Sequence, residues 1–291
     1  MSKVNYAKQI YVAFALSVPT VSLVIEGYRS ENFFTKFYFK KVNKELTPKL
    51  ADLIENEIDS FLIEHKSFSI RDIEFKVSLY DNFTPKTWGS FLLKEGSEIQ
   101  FPVTFNIQDY DEFREYIKNK FLSLKDTPIP YKFISDCFLS DEGKKFCIKR
   151  ELFKANNGYH LFFPSFLWIF SSSIFYLTVS FLFPVTGIPI GCLTAALGTI
   201  GIYPTLLKKY KEKEEKYFDK IVIDSDELYK KGADDFFNYC RSLKKLVGIE
   251  NFGKSDFDLI EKRMHHIKKK AIESRLMNRK NFIEKKNNTQ L

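Results

Sequence analysis

Between Lys154 and Lys208 the chain runs for 53 residues without one Asp, Glu, Lys or Arg. About 20 residues cover the hydrocarbon core of a bilayer, so the run is long enough for two crossings. Its middle, Pro184-Val185-Thr186-Gly187-Ile188-Pro189, puts two prolines and a glycine where a bend needs them and a spanning helix tolerates them badly. The expected helices are Leu161 to Phe183 and Ile190 to Leu207. Lys144, Lys145, Lys149, Arg150 and Lys154 precede the pair, and Lys208, Lys209, Lys211, Lys213 and Lys216 follow it, so both ends belong on the positive, non-translocated side. The competing reading is a hairpin buried in a soluble core, which would need an unusually large covering shell.

A second apolar segment, Gln9 to Ile25, holds 17 uncharged residues with Pro19 inside and Lys3 and Lys8 before it. It is short for a span. A signal anchor, a marginal third helix and the apolar part of a targeting segment stay open. No acid appears before Glu26, as organelle import signals favour, but their Arg and Ser enrichment is missing. The mean hydropathy of -0.24 is too low for a polytopic transporter. Most of the chain therefore folds in water, with 31 Phe and 15 Tyr supplying apolar area. Cys137, Cys147, Cys192 and Cys240 form no CxxC pair, which argues against a disulfide framework or zinc ribbon and fits a reducing compartment.

Glu31 to Lys41, rich in Phe, Tyr and Lys, suits a membrane-interface collar. Leu46 to Ile63 has the three-and-four apolar spacing of an amphipathic helix. Phe75, Val77 and Leu79 alternate with polar residues as in a strand. Further strands are expected at Trp88 to Lys94 and Ile99 to Phe105, with Glu95-Gly96-Ser97 as the turn. Asp111 to Leu124 is helical, and another helix opens at Ser140-Asp141-Glu142, a good N-cap followed by acids. Lys208 to Lys220 suits a helix protruding from the bilayer. Asp226 to Leu246 follows, with Leu228, Phe236, Phe237, Cys240 and Leu243 toward the core, and Phe257 to Met277 forms a basic helix. The expected segments are an anchor or targeting region at 1–30, a soluble helix and small sheet at 31–154, the hairpin at 155–207, soluble helices at 208–261, and a basic helix and tail at 262–291.

The formal charge of +8 is local, because Lys262 to Lys286 holds ten Lys or Arg against Glu273 and Glu284. Lys262, Arg263, Lys268, Lys269, Lys270, Arg275, Arg279 and Lys280 are candidate contacts for anionic lipid headgroups or ribosomal RNA. A solvated helix with a frayed tail is the alternative, and Asn287 to Leu291 reads as disordered. Adjacent His265 and His266 point about 100 degrees apart on a helix and cannot grip one ion, while His65 and His160 have no partner of fitting spacing. Gly187-x-x-x-Gly191 offers close helix approach or, for Gly187, a bend.

Helix, membrane hairpin, helix, with short strands ahead, resembles the integral-membrane zinc metallopeptidases of the HtpX and CAAX-prenyl protease type. In those enzymes one helix carries HExxH and a later helix supplies a third ligand in ExxAD, as a three-ligand zinc site with an open position requires. Here Arg150-Glu151-Leu152-Phe153-Lys154 falls where HExxH would stand, and Lys230-Lys231-Gly232-Ala233-Asp234 falls at ExxAD. Arg150, Lys154 and Lys230 cannot hold Zn²⁺, since a guanidinium has no free lone pair and an ammonium must first lose its proton. Only Glu151 keeps a catalytic residue type.

This degenerate pattern resembles the transmembrane protein 177 family of the mitochondrial inner membrane. The resemblance is most specific in Leu139 to Glu151 and in Gly232-Ala233-Asp234-Asp235-Phe236-Phe237, and returns around Ile267 and Lys268. It implies an α+β membrane protein, a mainly helical zincin-like domain with a small sheet and a transmembrane hairpin. It also implies a pseudo-peptidase with no metal, cofactor or small-molecule substrate, whose partners are membrane lipid, newly made cytochrome c oxidase subunit 2 and that subunit's chaperone. A client strand would then lie against Ile99, Phe101, Val103 and Phe105. An active peptidase with an atypical ligand set and a basic tether for ribosomes or anionic lipid are the other readings.

Overall fold

The computed structural model describes residues 3–28, 42, 44–65, 75–125, 128–248 and 256–269. The collar expected at Glu31 to Lys41, the tail at Asn287 to Leu291, and Lys270, Arg275, Arg279 and Lys280 lie outside these residues. The elements are α1 (Lys3–Tyr28), α2 (Pro48–Glu64), β1 (Phe75–Tyr80), β2 (Lys86–Gly89), β3 (Ser97–Pro102), α3 (Val103–Asn106), α4 (Tyr110–Lys120), α5 (Tyr131–Ser135), α6 (Asp141–Asn157), α7 (Tyr159–Ser180), α8 (Phe183–Thr186), α9 (Ile188–Ser225), α10 (Glu227–Val247) and α11 (256–269). They form two compact units, one of Met1–Asn106 with Ile148–Glu214 and one of Ile107–Cys147 with Glu215–Leu291. Neither coincides with one continuous stretch of sequence, because the divisions fall inside α6 and α9.

Among the described residues, three helices of the first unit are long and apolar enough to cross a membrane: α1 over Tyr6–Ile25, α7, and the apolar part of α9 up to Leu207. α7 has 22 residues, about 33 Å at the helical rise and close to the roughly 30 Å hydrocarbon thickness. Their surface is inverted relative to a soluble helix. Phe166, Leu177, Leu193 and Leu197 are exposed at 57–61%, while Ser171, Ser172 and Thr199 are buried. A hairpin in a soluble core would hide the large side chains, whereas lipid is as apolar as leucine and leaves the small and polar ones for helix contacts.

Small residues set the packing. A Cβ at Gly198 would stand 2.5 Å from the Phe175 ring, and one at Gly191 would stand 2.4 Å from the Phe183 ring, so these two glycines are notches for aromatic rings. Gly187 has φ 78° and open space around it, which makes it the bend residue. α1 lies against α7 through Ala7, Ala15 and its aromatics. Tyr11 stacks on Tyr176 at 4.4 Å, Phe14 meets Trp168 at 5.0 Å, and Trp168 Nε1 donates to the Phe14 carbonyl. Later residues of α1 thus meet earlier residues of α7. The two helices are antiparallel, and the start of α1 lies at the hairpin-turn end.

In the sheet, of order β1-β3-β2, β3 pairs parallel with β1 and antiparallel with β2. This corrects two expectations. β3 ends at Pro102, whose missing N–H cannot extend the ladder, so Val103 and Phe105 belong to the helical turn α3. Ile99 and Phe101 sit on a central strand with both edges occupied, so this strand has no free edge for a client. The second strand is also shorter than expected, ending at Gly89 before turns over 91–95. One sheet face carries a buried polar ladder. Ser78 donates to Glu98, Gln100 Nε2 donates to the same carboxylate at 3.2 Å, and Trp88 Nε1 donates to Gln100 at 3.0 Å.

The second unit is helical. Asp109 caps α4 and Asp226 caps α10, each accepting a backbone N–H two residues on. The buried stripe of α10 runs through Tyr229, Ala233, Phe236, Phe237, Cys240 and Leu243; Leu228, expected in it, is exposed at the helix start. Ser140 Oγ accepts the Gly143 N–H, completing the expected N-cap of α6, and donates to Asp235 at 2.7 Å. A Cβ at Gly232 would stand 2.2 Å from the Glu142 carbonyl, so only glycine lets α10 cross α6 there. Burial pushes the Cys137 thiol up to about 12, making it inert.

Arg263 corrects the reading of the basic segment. It is 3% exposed, with Nε and Nη2 each 2.7 Å from an oxygen of buried Asp219, Nη1 3.1 Å from Glu215, and its guanidinium over the Phe237 ring. It fastens α11 to α9 and reaches neither lipid nor RNA. Lys262, Lys268 and Lys269 are on the exposed side of α11.

Arg263→Ala strands the Asp219 carboxylate and is expected to cost about 3–5 kcal/mol, seen as a lower unfolding temperature in detergent. The antiparallel packing of α1 predicts sidedness: in sealed vesicles, cysteines at Tyr6 and Val185 will react with an impermeant maleimide from one side and a cysteine at Lys211 from the other.

Candidate functional site

α6 carries three ionisable side chains inward in its last turns, and they meet at the foot of the hairpin within the first unit. Glu151 is fully buried, Arg150 2% exposed and Lys154 8% exposed. Arg150 Nη1 donates to Glu151 Oε1, and Lys154 Nζ stands 3.5 Å from the same oxygen. The other oxygen, Oε2, accepts from Thr87 Oγ1 of β2 at 2.7 Å. The carboxylate therefore has a cation or a hydroxyl on each oxygen.

A fourth charge, one that sequence reasoning missed, completes the cluster. Glu214 of α9 is buried, and Lys154 and Arg150 act on its carboxylate electrostatically. The Tyr210 hydroxyl, a turn earlier, lies 2.8 Å from Glu214 Oε1 and 2.9 Å from the Tyr159 carbonyl at the start of α7. Two cations and two carboxylates thus balance in a dry setting, tying α6, α7, α9 and β2 together. Burying either sign alone would cost several kcal/mol per ion. Lys149, counted in the sequence as a flanking charge, is also fully buried; its Nζ donates to Glu64 at 2.6 Å and lies 5.7 Å from the Phe61 ring centre.

Between α6 and α7, Gly158 takes φ 61°, and a Cβ there would stand 2.7 Å from Ser90 Oγ. Ser90 donates to the Ala155 carbonyl, and the Phe91 N–H bonds the same oxygen at 2.9 Å. These contacts hold the last turn of α6 against the loop after β2 and so fix the direction of Glu151.

The structure brings Arg150, Glu151 and Lys154 together. Lys230 and Asp234 belong to the second unit and stand on the outward side of α10. Lys230 Nζ pairs with Glu227 at 2.9 Å with 45% of its side chain exposed, and Asp234 is exposed. Within that unit, the segments around Ser140 and Gly232 pack on each other: Ser140 bonds Asp235, Lys231 pairs with Glu142 at 3.2 Å, and Phe146 meets Phe236. Both segments therefore have a packing role.

Among the described residues, no three His, Cys, Asp or Glu side chains group so as to hold a metal ion. His65 stacks on Phe61, His160 Nε2 lies 2.8 Å from the Gly89 carbonyl, and the four cysteines are free thiols. Both Glu151 oxygens are engaged inside the cluster, one by the two cations and the other by the Thr87 hydroxyl. No protein-family profile, curated protein or solved structure matches this chain.

Glu151→Gln leaves Arg150 and Lys154 facing a neutral amide and is expected to lower unfolding stability in detergent by about 3–5 kcal/mol. Lys230→Ala, which removes only an exposed pair, will change it by less than about 1 kcal/mol.

Proposed function

We propose that this chain is a non-catalytic scaffold in a membrane, a degenerate metallopeptidase architecture that holds a hydrophobic client instead of cutting it. The observation that carries the reading is the state of Glu151: Arg150 and Lys154 occupy the positions where two zinc-binding histidines would stand, and both are turned onto the one carboxylate that would otherwise activate water. A guanidinium and an ammonium repel a dication and offer it no lone pair. The three apolar helices are compatible with residence in a bilayer. From the family resemblance we infer the mitochondrial inner membrane as the location and newly made cytochrome c oxidase subunit 2, with its chaperone, as the client.

The basic-tether reading loses Arg263, which is turned inward, and keeps Lys262, Lys268 and Lys269 among the described residues.

Affinity capture of the full chain from detergent-solubilised membranes, with metal analysis of the same sample, tests the proposal. Full-length subunit 2 in the eluate with no stoichiometric zinc is expected. Stoichiometric zinc, or a shortened client, would overturn the non-catalytic reading; absence of subunit 2 would remove the proposed client.

A further inference from the structure

The three apolar helices flank a half-open cavity of about 350 Å³. Tyr11 and Phe14 of α1, Tyr176 of α7, and Cys192, Ala196 and Thr199 of α9 line it, and no ionisable acid or base of the Asp, Glu, Lys or Arg type reaches it. Three of the wall hydroxyls are satisfied locally. Tyr11 and Ser173 hydrogen-bond each other at 2.6 Å, Thr199 donates to the Ala195 carbonyl at 2.8 Å, and Ser172 donates to that of Ile169 at 2.9 Å. Apart from the Tyr176 phenol and the Cys192 thiol, what faces the space is hydrocarbon, so the matching occupant is mainly hydrocarbon too. A helix about 10 Å across fills roughly 420 Å³ per 5.4 Å turn, so less than one turn of a client or of a second copy would fit. A single acyl chain is narrow enough.

The charge pattern names the other end of that molecule. Since α1 runs antiparallel to α7, Tyr11, opposite Tyr176, lies in the hairpin-turn half of the layer and Phe14, opposite Trp168, near its middle, while Lys8 stands exposed about one turn nearer the surface than Tyr11. No acidic residue occurs from Lys154 to Lys208 or before Glu26, so no carboxylate of these segments neutralises that lysine at the turn side. We propose that the cavity holds one acyl chain of an anionic phospholipid whose phosphate meets Lys8 at the headgroup level.

Native mass spectrometry of the detergent-extracted full chain, offered equal phosphatidylglycerol and phosphatidylcholine, tests this. One retained phospholipid per chain is expected, with phosphatidylglycerol preferred about fivefold, the effect of one lysine near an anionic surface. Lys8→Gln should keep a lipid but lose the preference. Ala196→Phe should lose the lipid. Because that variant can also disturb packing, the wild type is irradiated with a mid-chain diazirine phosphatidylglycerol, which must crosslink within residues 188–199. Equal retention of both lipids, crosslinks confined elsewhere, or a protein helix found in the cavity would overturn the proposal.

Discussion

The charge-balanced cluster of Arg150, Glu151, Lys154 and Glu214 is the constraint on which the arrangement at the foot of the hairpin depends. Each ion taken from water costs several kcal/mol, and that cost is offset only while opposite charges stay close to it. The cluster therefore fixes more than itself. Thr87 brings the sheet to it, Tyr210 brings the rising part of α9, and the Tyr159 carbonyl brings the first turn of α7. The second unit repeats the device with Arg263, Asp219 and Glu215. In both places an arginine sits in a nearly dry pocket and joins segments distant in sequence, which apolar packing alone would align less specifically.

These clusters also show where sequence reading stops. The hairpin was legible because 53 uncharged residues leave few alternatives, and the N-cap at Ser140 was legible because capping is decided within a few residues. The phase of β1 could be read from Phe75, Val77 and Leu79. The strand order could not, since pairing is set by non-local register and Ile99 to Phe105 has the same alternation whether it lies at an edge or in the centre. Glu98 and Gln100 alternate with the apolar residues of β3, yet they are buried because Ser78 of β1 and Trp88 of β2 bond them and Gln100 bonds Glu98 along the strand. For Arg263 a signal existed: Phe257, Ile260 and Met264 mark the inward side of α11, and Arg263 stands beside Met264 and three residues after Ile260. In a run of lysines and arginines the shared charge hides which member turns inward. Glu214 gave even less, lying among Glu212 and Glu215 in a segment that reads as uniformly solvated.

The site positions divide in the same way. Arg150, Glu151 and Lys154 share a helix, and their spacing alone brings them together. Lys230 and Asp234 were joined to them through a likeness to enzymes. On α10 both face outward, while Gly232, Ala233 and Phe236 face inward and pack. The residues of this segment serve the steric fit of α6 against α10.

The hairpin turn carries one more consequence. Phe181 is 84% and Val185 87% exposed, and the turn holds no lysine, arginine, aspartate or glutamate to fix it among headgroups. The opposite end of the hairpin is pinned by Lys208, Lys209 and Lys211. On the turn side the nearest basic residue is Lys8 of α1, so a bilayer thicker or thinner than the roughly 33 Å of α7 is met there by one flexible lysine that can snorkel, while the row of lysines holds the opposite end of the hairpin at the polar boundary.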